Sequence, residues 1–229
     1  MPRIEHHRST GGGRLRAAVL GGNDGIVSTS ALVIGIAAAT PDATSILLGG
    51  IAGLVAGALS MGVGEYISVS SERDAQRVDV ALEEEALANE FSAELLELTE
   101  LYVERGLEYE LAEQVATQLM EHDALGTHLR EELGLDPDAL ASPVVAALAS
   151  SLSFTLGALP PVLVAATVTA DLIVPAILGT TVVLLGLLGV LSARQSGASK
   201  VRSVGRVVAG GMLAMGLSAG IGKLVGAVL

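Results

Sequence analysis

A chain of 229 residues that is 51% hydrophobic, with a mean hydropathy of +0.61 and only 2% aromatic residues, is too apolar for a typical soluble domain and too poor in Phe and Trp to build a large soluble core on them. Its net charge of −12 is concentrated: residues 72–138 hold 20 of the 25 Asp and Glu but four Arg and no Lys, a block that argues against nucleic acid as a partner and favours cations. Cys is absent, which excludes disulfides and thiolate metal sites.

The chain opens with MPRIEHHRSTGGGRLR, which no short apolar run with a small-residue cleavage site follows, so it reads as an arm over 1–16 and not as a signal peptide. Its GGG lacks a preceding strand, and His6 and His7 read as surface residues. Crossing the hydrocarbon takes about 20 mostly apolar residues in a helix, and five segments qualify. The first runs from about Ala17 to Ala39 and ends in the turn TPDATS. The second starts near Ile46 and leaves the membrane near Ser71. The third follows Pro143 and ends near Thr169, with Asp171 marking the next turn. The fourth covers about Leu172 to Ala193, and the fifth runs from Val204 to the C-terminus.

Basic residues in short flanks set orientation. Arg3, Arg8, Arg14 and Arg16 lie in the arm, and Arg194, Lys200, Arg202 and Arg206 lie between the last two spans. The turns at Pro41–Asp42 and Ala170–Asp171 carry none. Five spans with the N-terminus inside put every basic flank inside; Lys223, near the end, can snorkel. The expected fold class is therefore an all-α membrane protein with five transmembrane helices and a helical cytoplasmic insert between the second and third. Its parts are a cytoplasmic arm (1–16), spans one and two (17–71), the insert (72–138) and spans three to five (139–229). The expected place is the cell (inner) membrane.

Within the insert, Ser71 to Ala88 lacks Gly and Pro, so the second span can continue outward as one long helix. SAELLELTELYVER, ended by Gly106, ELAEQVATQLMEHDA, and THLREEL, ended by Gly134, give three more, and Pro137 closes the insert. So polar a cluster buries little by itself and is expected to need a partner.

Carboxylates inside apolar spans are functional candidates. Asp24 lies about seven residues into the first span and Glu65 about six from the cytoplasmic end of the second. At 1.5 Å per residue both sit roughly 10 Å deep. Met61 is one turn from Glu65 on the same face. Two carboxylates and a thioether suit a borderline divalent metal. The competing reading makes Asp24 a helix cap beside Asn23 and Gly25, and pairs Glu65 with an interfacial Arg. Gly49, Gly53 and Gly57 form a small-residue stripe for contact within the chain or between copies. Pro160 and Pro161 interrupt the hydrogen-bond ladder of the third span.

In the insert Glu83, Glu90, Glu94 and Glu97 recur at spacings of 7, 4 and 3, forming one stripe on a continuous helix or two facing pairs if it breaks near Asn89. So many carboxylates repel one another unless cations sit between them, though a solvated acidic face is the plainer reading. His128 and Glu132, at i and i+4, can share a metal; His122 reads as a surface residue. The chain has no Glu-x-x-His pair of a di-iron site, no phosphate loop and no serine nucleophile elbow, so no enzymatic activity is expected.

The motifs NDGIVSTSALVIG and AGLVAGALSMGVGEYISVSSERD resemble the vacuolar iron transporter family, in its nodulin-like and bacterial branch with a cytoplasmic metal-binding domain. The likeness covers nearly the whole chain, including ALPP in the third span. It implies a homodimer that exchanges Fe²⁺ or Mn²⁺ for protons along a path between two subunits and moves the metal out of the cytosol. The family's first-span Asp falls on Asp24 and its second-span Met on Met61. Its second-span Glu falls on Gly53, and Glu65, in the GEY of nodulin-like members, is the candidate replacement. The metal-binding domain's Glu ligands match Glu83, Glu94, Glu97 and Glu132. Another of those Glu positions is Ala86 here, and a Met pair falls on His128 and Leu129.

The expected function is thus a proton-coupled antiporter exporting Fe²⁺ or Mn²⁺, in contact with membrane lipid and with no prosthetic group. The alternatives are a membrane-anchored iron store or ferroxidase without transport, and a scaffold whose acidic insert binds a basic protein.

Overall fold

The structure, a computed structural model, describes residues 12–135 and 142–228, so residues 1–11 of the arm with His6 and His7, and Pro137, lie outside the described residues, while 12–16 of the arm are helical. Seven α-helices and no strand occur among them: α1 (Gly12–Ala39), α2 (Ala43–Asn89), α3 (Phe91–Glu104), α4 (Tyr109–Glu131), α5 (Pro143–Thr167), α6 (Ala170–Ser196) and α7 (Lys200–Gly226). Five of them, α1, α2, α5, α6 and α7, are long and apolar enough to cross a membrane. By contacts the chain forms two compact units, one of residues up to Glu65 with those from Val144 onward, the other Tyr66–Pro143.

In the first unit, local chemistry sets the helix ends. Asp42 accepts hydrogen bonds from the Ser45 amide (2.9 Å) and the Ser45 hydroxyl (2.6 Å), which caps α2 and explains the carboxylate in that turn. Pro143, the last residue of the second unit, occupies the first position of α5, where its missing N–H costs nothing. The helix assignment holds through Pro160 and Pro161. Asp171 is not in a turn as the sequence suggested. It sits in the first turn of α6, where a negative charge meets the positive end of the helix dipole. Gly197, at φ +71°, closes α6, and α7 then starts at Lys200, earlier than the apolar run.

α1 is the centre of this unit. It packs on α6 and α7, which also pack on each other. Val33 and Ile34 join Ile46, Ala165, Ile173, Ile177 and Met215 in one buried cluster drawn from all five spans. Apolar burial drives association weakly where lipid is the alternative, so close fit and polar bonds matter more. The buried pair Ser30 Oγ and Thr181 Oγ1, 2.8 Å apart, ties α1 to α6 and is worth about 1 kcal/mol. Leu48, Ile51, Val55, Leu59 and Val63 of α2 stay exposed on the single chain, a stripe at helical spacing.

Close backbone approach holds α5 against α1. A Cβ added at Gly25 would fall on the Phe154 carbonyl, and one at Gly157 on the Gly22 carbonyl, neither of which can yield as a flexible side chain does. Gly157→Leu is expected to cost at least about 3 kcal/mol by overpacking and to lower the melting temperature in detergent. Gly64→Ala, where a Cβ meets nothing within 4 Å, is the control and should leave it unchanged or raise it.

The second unit comprises the end of α2 with α3 and α4. It has its own small core: Leu98, Ala116 and Met120, with Leu87, Leu95, Tyr102 and Ala124 around them. The break after Asn89 is real. Glu90 (φ −132°, ψ 37°) leaves the helical region, while the Asn89 amide bonds back to the Glu85 carbonyl. Gly106 (φ +102°) and Gly134 (φ +64°) supply the left-handed turns that end α3 and α4. The third and fourth insert helices of the sequence are the two parts of α4, separated by a kink where Asp123 has extended backbone (φ −161°, ψ 83°). The Asp123 carboxylate accepts the Gly126 amide (2.9 Å) and pairs with Arg130 (3.0 Å), so it caps the last two turns as if they were a new helix.

Candidate metal sites

The first unit holds a cavity of about 280 Å³ lined by Asp24, Ser28, Thr29 and Leu32 of α1, Gly53, Gly57, Ser60 and Met61 of α2, and Phe154 of α5. The two main walls are helical faces: 24, 28 and 32 on one, 53, 57 and 61 on the other, each at four-residue spacing. Asp24 is the one ionisable side chain on this wall. It lies in the interior of α1, which removes the reading of it as a helix cap. The Met61 methyl lies beside Gly21, one turn before Asp24. The cavity joins Asp24 to Met61, whereas counting depth along the spans sets Asp24 level with Glu65.

Glu65 is one turn beyond Met61 on α2 and not on the cavity wall. Neither it nor Asp24 has an ion-pair partner among the described residues. The glycine stripe packs within the chain: an added Cβ would meet Ile36 at Gly49, Leu32 at Gly53 and the Phe154 ring at Gly57. Sequence reading missed Ser28, Thr29, Ser60 and Phe154. Ser28, four residues after Asp24, was readable from helical spacing; Phe154 was not, since it comes from a helix 130 positions on.

In the second unit four carboxylates gather round one imidazole. His128, with no exposed surface, has Nδ1 3.0 Å from Glu83 Oε1, 3.2 Å from Glu132 Oε2 and 3.8 Å from Glu94 Oε2. Of these only the Glu132 contact has hydrogen-bond geometry. Glu83 Oε1 is close yet misaligned, and it and His128 Nε2 are buried without a hydrogen-bond partner among the described residues. One ring proton cannot satisfy three acidic neighbours, whereas a divalent cation can. Donor atoms of Glu83, His128 and Glu132 lie within 4.8 Å of one another. Glu97 joins through Glu132, the neighbouring carboxylate whose repulsion acts on it most.

Glu90, expected with this set, is not in it. It is exposed at the α2–α3 break, where its carbonyl accepts the amides of Ala93 (2.7 Å) and Glu94 (3.2 Å). The break lets Glu83 on α2 face Glu94 and Glu97 on α3, and the Asp123 cap aims the turn that carries His128. His122 is exposed, as expected. Arg105, bound to Glu131 and stacked 5.3 Å from the Tyr102 ring, ties α3 to α4 beside the cluster.

These carboxyls titrate unusually. Burial pushes Glu83 above the usual range, with His128 opposing and Glu132, Glu94 and Glu97 adding to it. Repulsion by Glu132 is the largest cause raising Glu97, followed by burial. A raised carboxyl adds stability below its unfolded value and loses it as pH rises through the folded value. The metal-free unit therefore loses that contribution as pH climbs out of the ordinary glutamate range. A bound cation, which needs the ionised ligands, offsets the loss. The rise in melting temperature caused by Mn²⁺ should be larger at about pH 7 than at about pH 5; an equal rise at both would contradict it.

An apolar five-span bundle with an acid–thioether cavity, and a separate Glu/His cluster, define an integral membrane protein carrying two donor sets suited to cations. The model of the VIT family matches residues 15–223, and the chain belongs to that family. It is 41% identical over 223 residues to the vacuolar iron transporter of Acanthamoeba castellanii, covering 96% of this chain and 82% of the relative. It is 38% identical over 213 residues to vacuolar iron transporter homolog 4 of Arabidopsis thaliana (93% and 84%). Against vacuolar iron transporter homolog 1 of Oryza sativa subsp. japonica the identity is 36% over 213 residues (93% and 74%).

Proposed function

We propose that the protein exports Fe²⁺ or Mn²⁺ from the cytosol in exchange for protons, as a homodimer in the cell membrane. Membership of the VIT family and relatives named as iron transporters support metal transport as the general activity. The observation that carries the mechanism is the cavity joining Asp24 of α1 to Met61 of α2 among apolar spans. A cation held there neutralises the Asp24 carboxylate and is softly ligated by the thioether. Protonation of Asp24 from the outer side weakens the site and releases the ion, since the ligand must be ionised to bind. Glu65, one turn toward the acidic unit along α2, attracts cations approaching the cavity. The cytoplasmic cluster of Glu83, Glu94, Glu97, His128 and Glu132 collects the metal and raises its local concentration. The exposed apolar stripe of α2 supports a second copy as its cover.

The test is uptake into proteoliposomes under an imposed pH gradient, with Fe²⁺ and Mn²⁺ in competition and internal pH followed by a dye. Saturable uptake that alkalises the proton-rich compartment is expected. Uptake indifferent to collapse of the gradient would remove the proton exchange. Iron-dependent oxygen consumption without flux would replace transport by storage.

A further inference from the structure

One residue of the cavity lining carries a buried hydroxyl that the helix itself does not use. Hydroxyl side chains in these helices give their proton to the carbonyl four residues back: Ser28 to Asp24, Thr99 to Leu95, Thr155 to Ser151 and Thr167 to Leu163. That bond is the ordinary outlet for a hydroxyl on an apolar helix, where no water offers itself. Ser30 instead finds Thr181. Thr29 has neither. It is 1% exposed, and its Oγ1 is buried with no hydrogen-bond partner among the described residues. A buried hydroxyl left unpaired forfeits its hydration for nothing, so its retention points to a partner that is not part of the protein.

Thr29 lines the cavity with Asp24 and Met61. Of the four α2 positions on the same cavity, Gly53 and Gly57 offer no side-chain donor, which leaves Ser60 and the Met61 thioether. One carboxylate and one thioether leave a divalent ion short of ligands, since Mn²⁺-type ions take about six, mostly oxygen. We propose that Thr29 Oγ1 is a ligand of the transported cation, a neutral oxygen from α1 supplying what the α2 glycines cannot. A hydroxyl oxygen keeps its proton while a lone pair faces the ion, so no change of protonation is needed. The assignment rests on the reading of the cavity as the cation's path.

The test uses the full-length protein in proteoliposomes, with initial Mn²⁺ uptake measured over a concentration series for Thr29→Val, Thr29→Ser, Thr29→Cys and Asp24→Asn. Thr29→Val keeps the shape and removes an unpaired hydroxyl, so its melting temperature should be unchanged or higher. Its KM for Mn²⁺ should rise about tenfold, with Thr29→Ser restoring it. Thr29→Cys replaces oxygen by soft sulfur and should raise the ratio of Cd²⁺ to Mn²⁺ uptake by about tenfold, which a purely structural role would not do. An unchanged KM in Thr29→Val, a loss confined to kcat, or an unchanged ion ratio in Thr29→Cys overturns the assignment. If those results come with a dead Asp24→Asn, the cavity reading survives without Thr29. A fully active Asp24→Asn removes the cavity reading, and Thr29 with it.

Discussion

Asp24→Asn is expected to bring metal uptake in proteoliposomes to background, a loss of at least about a hundredfold. The substitution keeps side-chain size and a carbonyl acceptor but removes the charge. Within the cavity no other ionisable group can replace it. The rest of the lining (Ser28, Thr29, Leu32, Gly53, Gly57, Ser60, Met61 and Phe154) is uncharged, so a divalent ion there without a counter-charge pays a large desolvation cost. Stability should barely change, because Asp24 has no ion-pair partner among the described residues and caps no helix end. Asp24→Glu, which retains the charge on a longer stem, should keep partial activity. Wild-type uptake by Asp24→Asn, from a protein of unchanged melting temperature, would leave the proposed mechanism without its centre.

Glu83→Gln should do two opposite things in the Glu/His cluster. Without metal, the unit should melt higher, because a buried acid that repels Glu132, Glu94 and Glu97 becomes neutral. With metal, the gain on adding Mn²⁺ should shrink, since a ligand is lost, and affinity measured by calorimetry on the full-length protein should fall by about ten- to a hundredfold. His128→Gln should also lose affinity by a similar factor. Glu90→Gln should change neither quantity, because Glu90 is exposed and outside the cluster. A cluster that served only as a solvated acidic face would give no saturable heat in any variant, and the three substitutions would be indistinguishable.

Much of this architecture is readable along the chain because its causes are local. Apolar runs of membrane length, the acidic block, Asp42 before α2, Pro143 at the head of α5 and the glycines after α3 and α4 all act within a few residues of themselves. The pairing of His128 with Glu132 was legible for the same reason, as four residues make one helical turn. Counting depth along the spans pairs Asp24 with Glu65, yet the residue on the cavity with Asp24 is Met61, one turn deeper, because rotation about the helix axis is not set by depth. Other features had no local signature. Asp171 moved from turn to helix because an acid suits a helix start as well as a loop. The kink that sets the last turns of α4 apart as a short helix comes from Asp123, whose extended backbone and cap on Gly126 look in sequence like an ordinary exposed acid.

The sequence by itself determined the number of spans, the separation of an acidic helical unit from an apolar bundle, and which residue types could bind a cation, since hydrophobicity and charge are properties of composition and spacing. The tertiary structure decided which of those residues meet. It turned Glu83 toward His128 and left Glu90 outside, because a single non-helical residue reverses the chain there. It put Phe154 and the unpaired hydroxyl of Thr29 on the wall with Asp24, because glycines at 25 and 157 let two backbones approach. Such meetings depend on where distant segments pack, and no local pattern encodes that distance.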